Sequence, residues 1–115
     1  MANEIVVAQT TSNDWELAKV LARGAVDGRL AAHVHIDQPG TAVYRWKGAV
    51  KADREWRISF KTTPARLRDL QAWVAKQHSY ELPEWITLPV TGGSEEYLAW
   101  VVEQTMPETS TPSSP

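Results

Sequence analysis

The residue pattern predicts an α+β domain in the order strand, helix, strand, strand, helix, strand, with one further helix at its end. Three observations carry this. The spacing of apolar residues alternates along the chain between two and about 3.6. The switches fall at Gly, Pro, Ser, Thr and Asn, residues that cap or break elements. The length of 115 residues suits one domain, read as residues 1–106, with the Ser/Thr/Pro tract 107–115 as a disordered tail.

The first element is the β-branched run Ile5-Val6-Val7-Ala8, expected to be a strand buried on both faces. Thr11, Ser12 and Asn13 then offer helix caps, and Asn13 with Glu16 resembles a capping box. Leu17, Ala18, Leu21, Ala22 and Ala25 recur at helical spacing, so a helix is expected from about Asp14 to Asp27, with Gly28 supplying the positive φ of its C-terminus.

From Leu30 the period becomes two. Leu30, Ala32, Val34 and Ile36 face one way, and Ala31, His33 and His35 the other. Pro39-Gly40 interrupts this strand with a kink or bulge before Ala42–Trp46 resumes it. Lys47-Gly48 reads as a tight hairpin turn. The third strand sets Trp56, Ile58 and Phe60 against Glu55, Arg57, Ser59 and Lys61, and the charged run Lys51–Arg57 is read as a solvated hairpin arm.

The second helix is capped by Thr63, starts at Pro64 and buries Leu67, Leu70, Trp73 and Val74. The loop 79–83 leads to a strand at Trp85–Leu88, with Pro89 at its end or edge. Gly92-Gly93-Ser94 opens the last helix, which carries Glu95 and Glu96 in its first turn, Leu98, Val101 and Val102 on its apolar stripe, and stops at Pro107.

Without its last helix, this order is the ferredoxin-like pattern, two βαβ halves around one antiparallel sheet. Helices cover one face of such a sheet, and the other must be solvated or buried elsewhere. Six tryptophans, with Trp46, Trp85 and Trp100 at segment ends, suggest aromatic surface kept for contacts between subunits.

Composition narrows the function. A net charge of −2 supplies no cationic surplus for a phosphate backbone, so no nucleic-acid partner is expected. The apolar runs are too short to span a membrane, and Met-Ala-Asn-Glu-Ile lacks the plan of a signal peptide, so a cytoplasmic location is expected. With no cysteine there is no disulfide, thiolate ligand or Cys nucleophile. Hydrolase elbow, Walker and zinc-protease motifs are absent, and no enzyme activity is expected. A dimeric α+β-barrel enzyme shares the element order and is the rival reading.

Five segments in register resemble the CutA family of divalent-cation tolerance proteins. They are Gly28-Arg29-Leu30-Ala31-Ala32-His33-Val34, Tyr44-Arg45-Trp46-Lys47-Gly48, Lys61-Thr62, His78-Ser79-Tyr80-Glu81-Leu82-Pro83-Glu84, and Tyr97-Leu98 with Trp100. The resemblance covers residues 4 to about 104. It implies a homotrimer in which long hairpins of the second and third strands complete neighbouring sheets. It also implies tolerance to divalent metals, copper especially, and a likeness to trimeric PII signal proteins, which bind small ligands between subunits.

Two candidate sites follow. The resemblance implies copper positions at which this chain has Gln9, Gln77 and His78, and the chain has His33 where the family has a strand-two cysteine. The metal candidates are therefore His78, His33 and His35, the last two projecting together from one strand face toward a divalent cation such as copper(II), zinc or nickel. The second candidate is an inter-subunit cleft holding a small ligand, formed by Tyr44, Trp46, Glu55, Lys61, Tyr80, Glu84 and Trp100. A Glu55–Lys61 ion pair with plain aromatic packing is the alternative reading of those positions.

Overall fold

A computed structural model of the chain describes residues 4–107, so all but the first residue of the predicted tail lies outside the described residues. Its elements are β1 (Val6–Ser12), α1 (Trp15–Asp27), β2 (His33–Ile36), β3 (Gly40–Trp46), β4 (Ala49–Thr62), a 3-10 turn Pro64–Arg66, α2 (Leu67–Gln77), β5 (Ile86–Pro89) and α3 (Glu95–Gln104). The sheet runs β2-β4-β1-β5 and every pairing is antiparallel, the ferredoxin-like arrangement with α3 added.

The 14-residue β4 organises the molecule. Its second half pairs with β1 from Trp56 to Thr62 and with β2 from Ile58 to Lys61. Its first half pairs only with β3, from Ala49 opposite Trp46 to Glu55 opposite Gly40. Residues 40–55 therefore form a two-stranded arm that leaves the body of the sheet. The predicted kink at Pro39-Gly40 is the break that divides the second strand into β2 and β3. Asp37 N–H still donates to Arg57 C=O (2.9 Å), which keeps both pieces on the same edge of β4. At the arm's tip Lys47 (φ 50°) and Gly48 (φ 83°) make a turn with two left-handed residues, whose twist matches the strands it joins.

One face of the sheet carries the core. Ala8, Ile58 and Phe60 pack beneath Ala18, Leu21 and Ala25 of α1 and Leu70 and Val74 of α2. Trp56, Leu67 and Trp73 border this cluster, as their spacing predicts. A second cluster joins Val101 of α3 to Ile5 and Ala32, with Leu98 and Val102 against it.

Several local expectations change. The first strand runs to Ser12, because β4 is long enough to pair with it to that point, so Thr11 and Ser12 belong to the sheet. The cap of α1 is Asp14, whose carboxylate accepts from Glu16 and Leu17 N–H, rather than Asn13. Thr63 makes no side-chain cap, since a 3-10 turn precedes α2.

At the end of α1, Gly28 has φ −86° and the left-handed residue is Arg29, at φ 60°. Arg29 N–H donates to Val26 C=O and Leu30 N–H to Ala25 C=O, a Schellman closure displaced by one residue. That turn also rotates the next residues out of the predicted alternation. Ala31 enters the main core and Ala32 the second one, and regular alternation starts at His33.

Candidate functional site

The arm and the loop after α2 enclose a cleft of about 690 Å³. Strand alternation puts Ala42, Tyr44 and Trp46 of β3 on the same face as Asp53 and Glu55 of β4, and all five line the cleft. Opposite them run Tyr80 to Ile86, with Thr11 near the end of β1 and Asn13 just after it also in the lining. Four carboxylates (Asp53, Glu55, Glu81 and Glu84) and one guanidinium (Arg45) line this space, between walls of Tyr44, Trp46, Tyr80 and Trp85.

A chain of hydrogen bonds fastens the loop to the arm. α2 stops because His78 is extended (φ −71°, ψ 147°), and its ring turns back toward β1. Tyr80 N–H donates to His78 Nδ1 (3.2 Å), so Nε2 carries the ring proton and donates to Thr11 C=O (2.8 Å). The Tyr80 hydroxyl then donates to Glu55 Oε2 across 2.7 Å. Two residues further out on the arm, the Tyr44 hydroxyl donates to Asp53 Oδ2.

Burial, followed by the Glu55 bond and charge, pushes the Tyr80 phenol well above the ordinary tyrosine value. The bond to Asp53 raises that of Tyr44 as well. Both phenols thus stay protonated and donate to the carboxylate oxygens they face.

Five of the seven residues predicted for the cleft meet there: Tyr44, Trp46, Glu55, Tyr80 and Glu84. Lys61 and Trp100 do not. Lys61 is six residues beyond Glu55 on the same strand, roughly 20 Å away at extended spacing, and it pairs with His33 and Val7 instead. The Glu55–Lys61 ion pair is accordingly not formed, and Glu55 is held by Tyr80. Trp100 sits on α3, 39% exposed, with its ring 5.6 Å from Tyr97.

Trp85 takes part in two ways: it lines the cleft and packs against Phe60 of the core, with ring centroids 6.1 Å apart. Sequence reasoning missed Asp53, Arg45 and Glu81. Asp53 was legible, since it shares the face of Glu55 two residues away, but the charge run containing it reads equally well as a solvated arm.

The metal candidates lie in two places. His33 and His35 project from β2 with stacked rings, centroids 6.4 Å apart. His33 Nδ1 is buried and has no hydrogen-bond partner among the described residues. Burial first, then the charges of Lys61 and His35, lower the pKa of His33, favouring the neutral ring a metal would need. His35 Nε2 is 3.4 Å from Asp37 Oδ1. His78 stands apart from this pair, and a metal bound to its ring has to displace one of its two hydrogen bonds. Among the described residues no group of three or more His, Asp or Glu side chains is gathered closely enough to hold a metal ion. Nor is any described helix long and apolar enough to cross a membrane.

Comparison with known proteins gives concordant results. A family model described as "CutA1 divalent ion tolerance protein" matches residues 6–104. The divalent-cation tolerance protein CutA of Thermus thermophilus is 39% identical over 102 residues, which span 89% of this chain and 98% of that protein. The chloroplastic CutA of Arabidopsis thaliana is also 39% identical, over 87% of this chain but only 55% of its own length. The solved structure of CutA from Synechococcus elongatus superposes with a TM-score of 0.86 at 36% identity, covering 91% of this chain and 93% of that one. The family description and the name of the Thermus thermophilus protein refer to tolerance of divalent ions, not to a reaction.

Proposed function

Since the chain belongs to the CutA1 divalent ion tolerance protein family, we propose that it is a homotrimeric binding protein acting in tolerance of, or response to, divalent metal ions, copper among them. It works in the cytoplasm and catalyses no reaction, and residues 1–106 form its single domain.

The observation that carries the trimer is the arm. Residues 49–55 of β4 pair with β3 on one edge, while on the other β1 has already ended at the register of Trp56. Open strand edges demand a partner or a guard. This arm adds apolar side chains, with Val43 and Val50 both about two-thirds exposed (67% and 64%). Ile86 and Leu88 on the edge strand β5 are exposed too. Neighbouring copies that lend their arms in a closed ring satisfy these edges without forming an open fibre.

For the metal, His33 and His35 supply two imidazoles per chain, short of the three or four ligands of a closed divalent site. A ring of chains brings further copies within reach of a shared ion. A second reading, a small-molecule sensor of the PII type or a trimeric scaffold, draws on the cleft, whose volume is within the range of ligand pockets.

The test is native mass spectrometry of the protein before and after addition of copper(II), zinc or nickel. The metal role predicts uptake in fixed proportion to the chains, lost in His33→Ala/His35→Ala. A protein that stays metal-free with all three ions contradicts metal binding and leaves the sensor or scaffold.

A further inference from the structure

The chain places an ammonium of its own at the mouth of the cleft. At the tip of the arm Lys47 Nζ lies 5.6 Å from the centroid of the Trp46 ring and 3.6 Å from Glu81 Oε1 on the facing loop. A cation held between an aromatic face and a carboxylate is the arrangement by which proteins recognise alkylammonium groups. Here it ties the arm to the loop across the cleft mouth. Both pieces of it, Trp46 and Glu81, are cleft-lining residues.

The interior continues the same chemistry. Asp53 and Glu55 each accept one tyrosine hydroxyl through a single oxygen, Oδ2 and Oε2, and keep a second oxygen apiece free of that bond. Glu84 has no ion-pair partner among the described residues. An anion is disfavoured, because Arg45 is the one cation against four carboxylates in the lining. A bare metal ion is disfavoured as well. The carboxylates are spread along both walls rather than gathered, and no three His, Asp or Glu groups among the described residues form a ligand set. Separated negative charges between aromatic walls fit an elongated organic cation with more than one charged nitrogen.

We propose that the cleft between the arm and the 80–86 loop is a binding site for an alkyl polyamine, and that Lys47 is its built-in competitor. Trp46 and Tyr44 form the wall, Glu81 and Glu84 receive one ammonium near the mouth, and Glu55 receives another deeper in. Binding at the mouth requires Lys47 to leave Trp46, so the fraction of molecules with Lys47 in place reduces the apparent affinity. The proposal deepens the reading of the cleft as a ligand site and rests on that reading alone; it requires no bound metal.

The test is isothermal titration of the full chain with spermidine, and with glutarate and zinc as the anionic and metal probes. Spermidine is expected to bind saturably. Lys47→Ala should tighten it by about two- to five-fold, the span of one exposed cation–π contact, and Trp46→Leu should weaken it by at least as much. Arg68→Ala removes the same charge from the exposed surface of α2 and should leave the affinity unchanged.

Equal tightening in Lys47→Ala and Arg68→Ala means attraction to net charge alone and overturns the proposal. So does the absence of saturable spermidine binding. Saturable glutarate binding without spermidine binding overturns the ligand class while keeping the cleft as a ligand site. Zinc binding abolished by Glu55→Gln and Glu84→Gln, again without spermidine binding, reassigns the cleft to metal and overturns the polyamine. Spermidine binding that follows this mutational pattern stands whether or not copper binds elsewhere.

Discussion

Tyr80 carries more of this molecule than its position in a loop suggests. Its backbone N–H is received by His78 and its hydroxyl by Glu55, so one residue joins the end of α2, the end of β1 and the base of the arm. A neutral donor on a carboxylate is stronger than a neutral pair, and Tyr80→Phe is expected to cost about 1.5–3 kcal/mol in urea unfolding. A double-mutant cycle with Glu55→Gln should assign most of that cost to the pair.

The pH dependence has a definite sign. Folding raises the Tyr80 pKa above its unfolded value near 10, so its contribution is complete below pH 10 and is lost as the pH climbs toward the folded value. Stability should therefore fall above pH 10 in the parent protein and fall less steeply in Tyr80→Phe, as read by unfolding at a series of alkaline pH values. None of this was legible in the sequence beyond the Tyr-Glu-x-Pro-Glu pattern itself. That pattern marks Tyr80 as a site residue without indicating that its partner lies 25 positions earlier in the chain.

At the scale of the elements, α1 and α2 approach closely at Gly24. A Cβ at Gly24 would lie 2.5 Å from two ring carbons of Trp73, so the helices approach where only glycine leaves room for the indole. Gly24→Ala gains helix propensity, yet it should destabilise the fold by about 1–3 kcal/mol through overpacking. Adding Trp73→Leu should recover part of the loss, because the flat ring is the obstacle; thermal unfolding of the single and double variants reads both effects.

The sequence announces the helices well, since their stripes (Leu17, Leu21 and Ala25; Leu70 and Val74) depend on local period alone. Their ends are less legible. Gly28 looks like the left-handed cap, but Arg29 takes that conformation because tertiary bonds hold it there. Its guanidinium donates to Gln104 C=O at 3.2 Å, and its own carbonyl accepts from Arg66 Nε at 3.2 Å. Those partners lie 37 and 75 residues away, beyond the reach of any local pattern. The strands behave similarly: Val6–Ala8 is visible as a β-branched run, whereas Gln9–Ser12 becomes strand only because β4 is there to pair with it.

At the scale of the whole molecule, the body and the arm have different needs. The body buries its own core between sheet and helices. The arm has no core of its own, and an isolated two-stranded ribbon is marginal in water. Yet it extends a molecule whose longest dimension is 57 Å and presents Val43 and Val50 to solvent. It is this surplus of exposed apolar edge that calls for neighbours, and the cleft beside the arm then lies close to where they would dock.

The proposed working form of the chain is a ring of three. Sedimentation equilibrium over a hundred-fold range of concentration tests it most directly. A ring of three gives one species of three times the 12.9 kDa chain mass, shifted toward smaller species by Val43→Asp/Val50→Asp. A monomer or dimer at every concentration would contradict it.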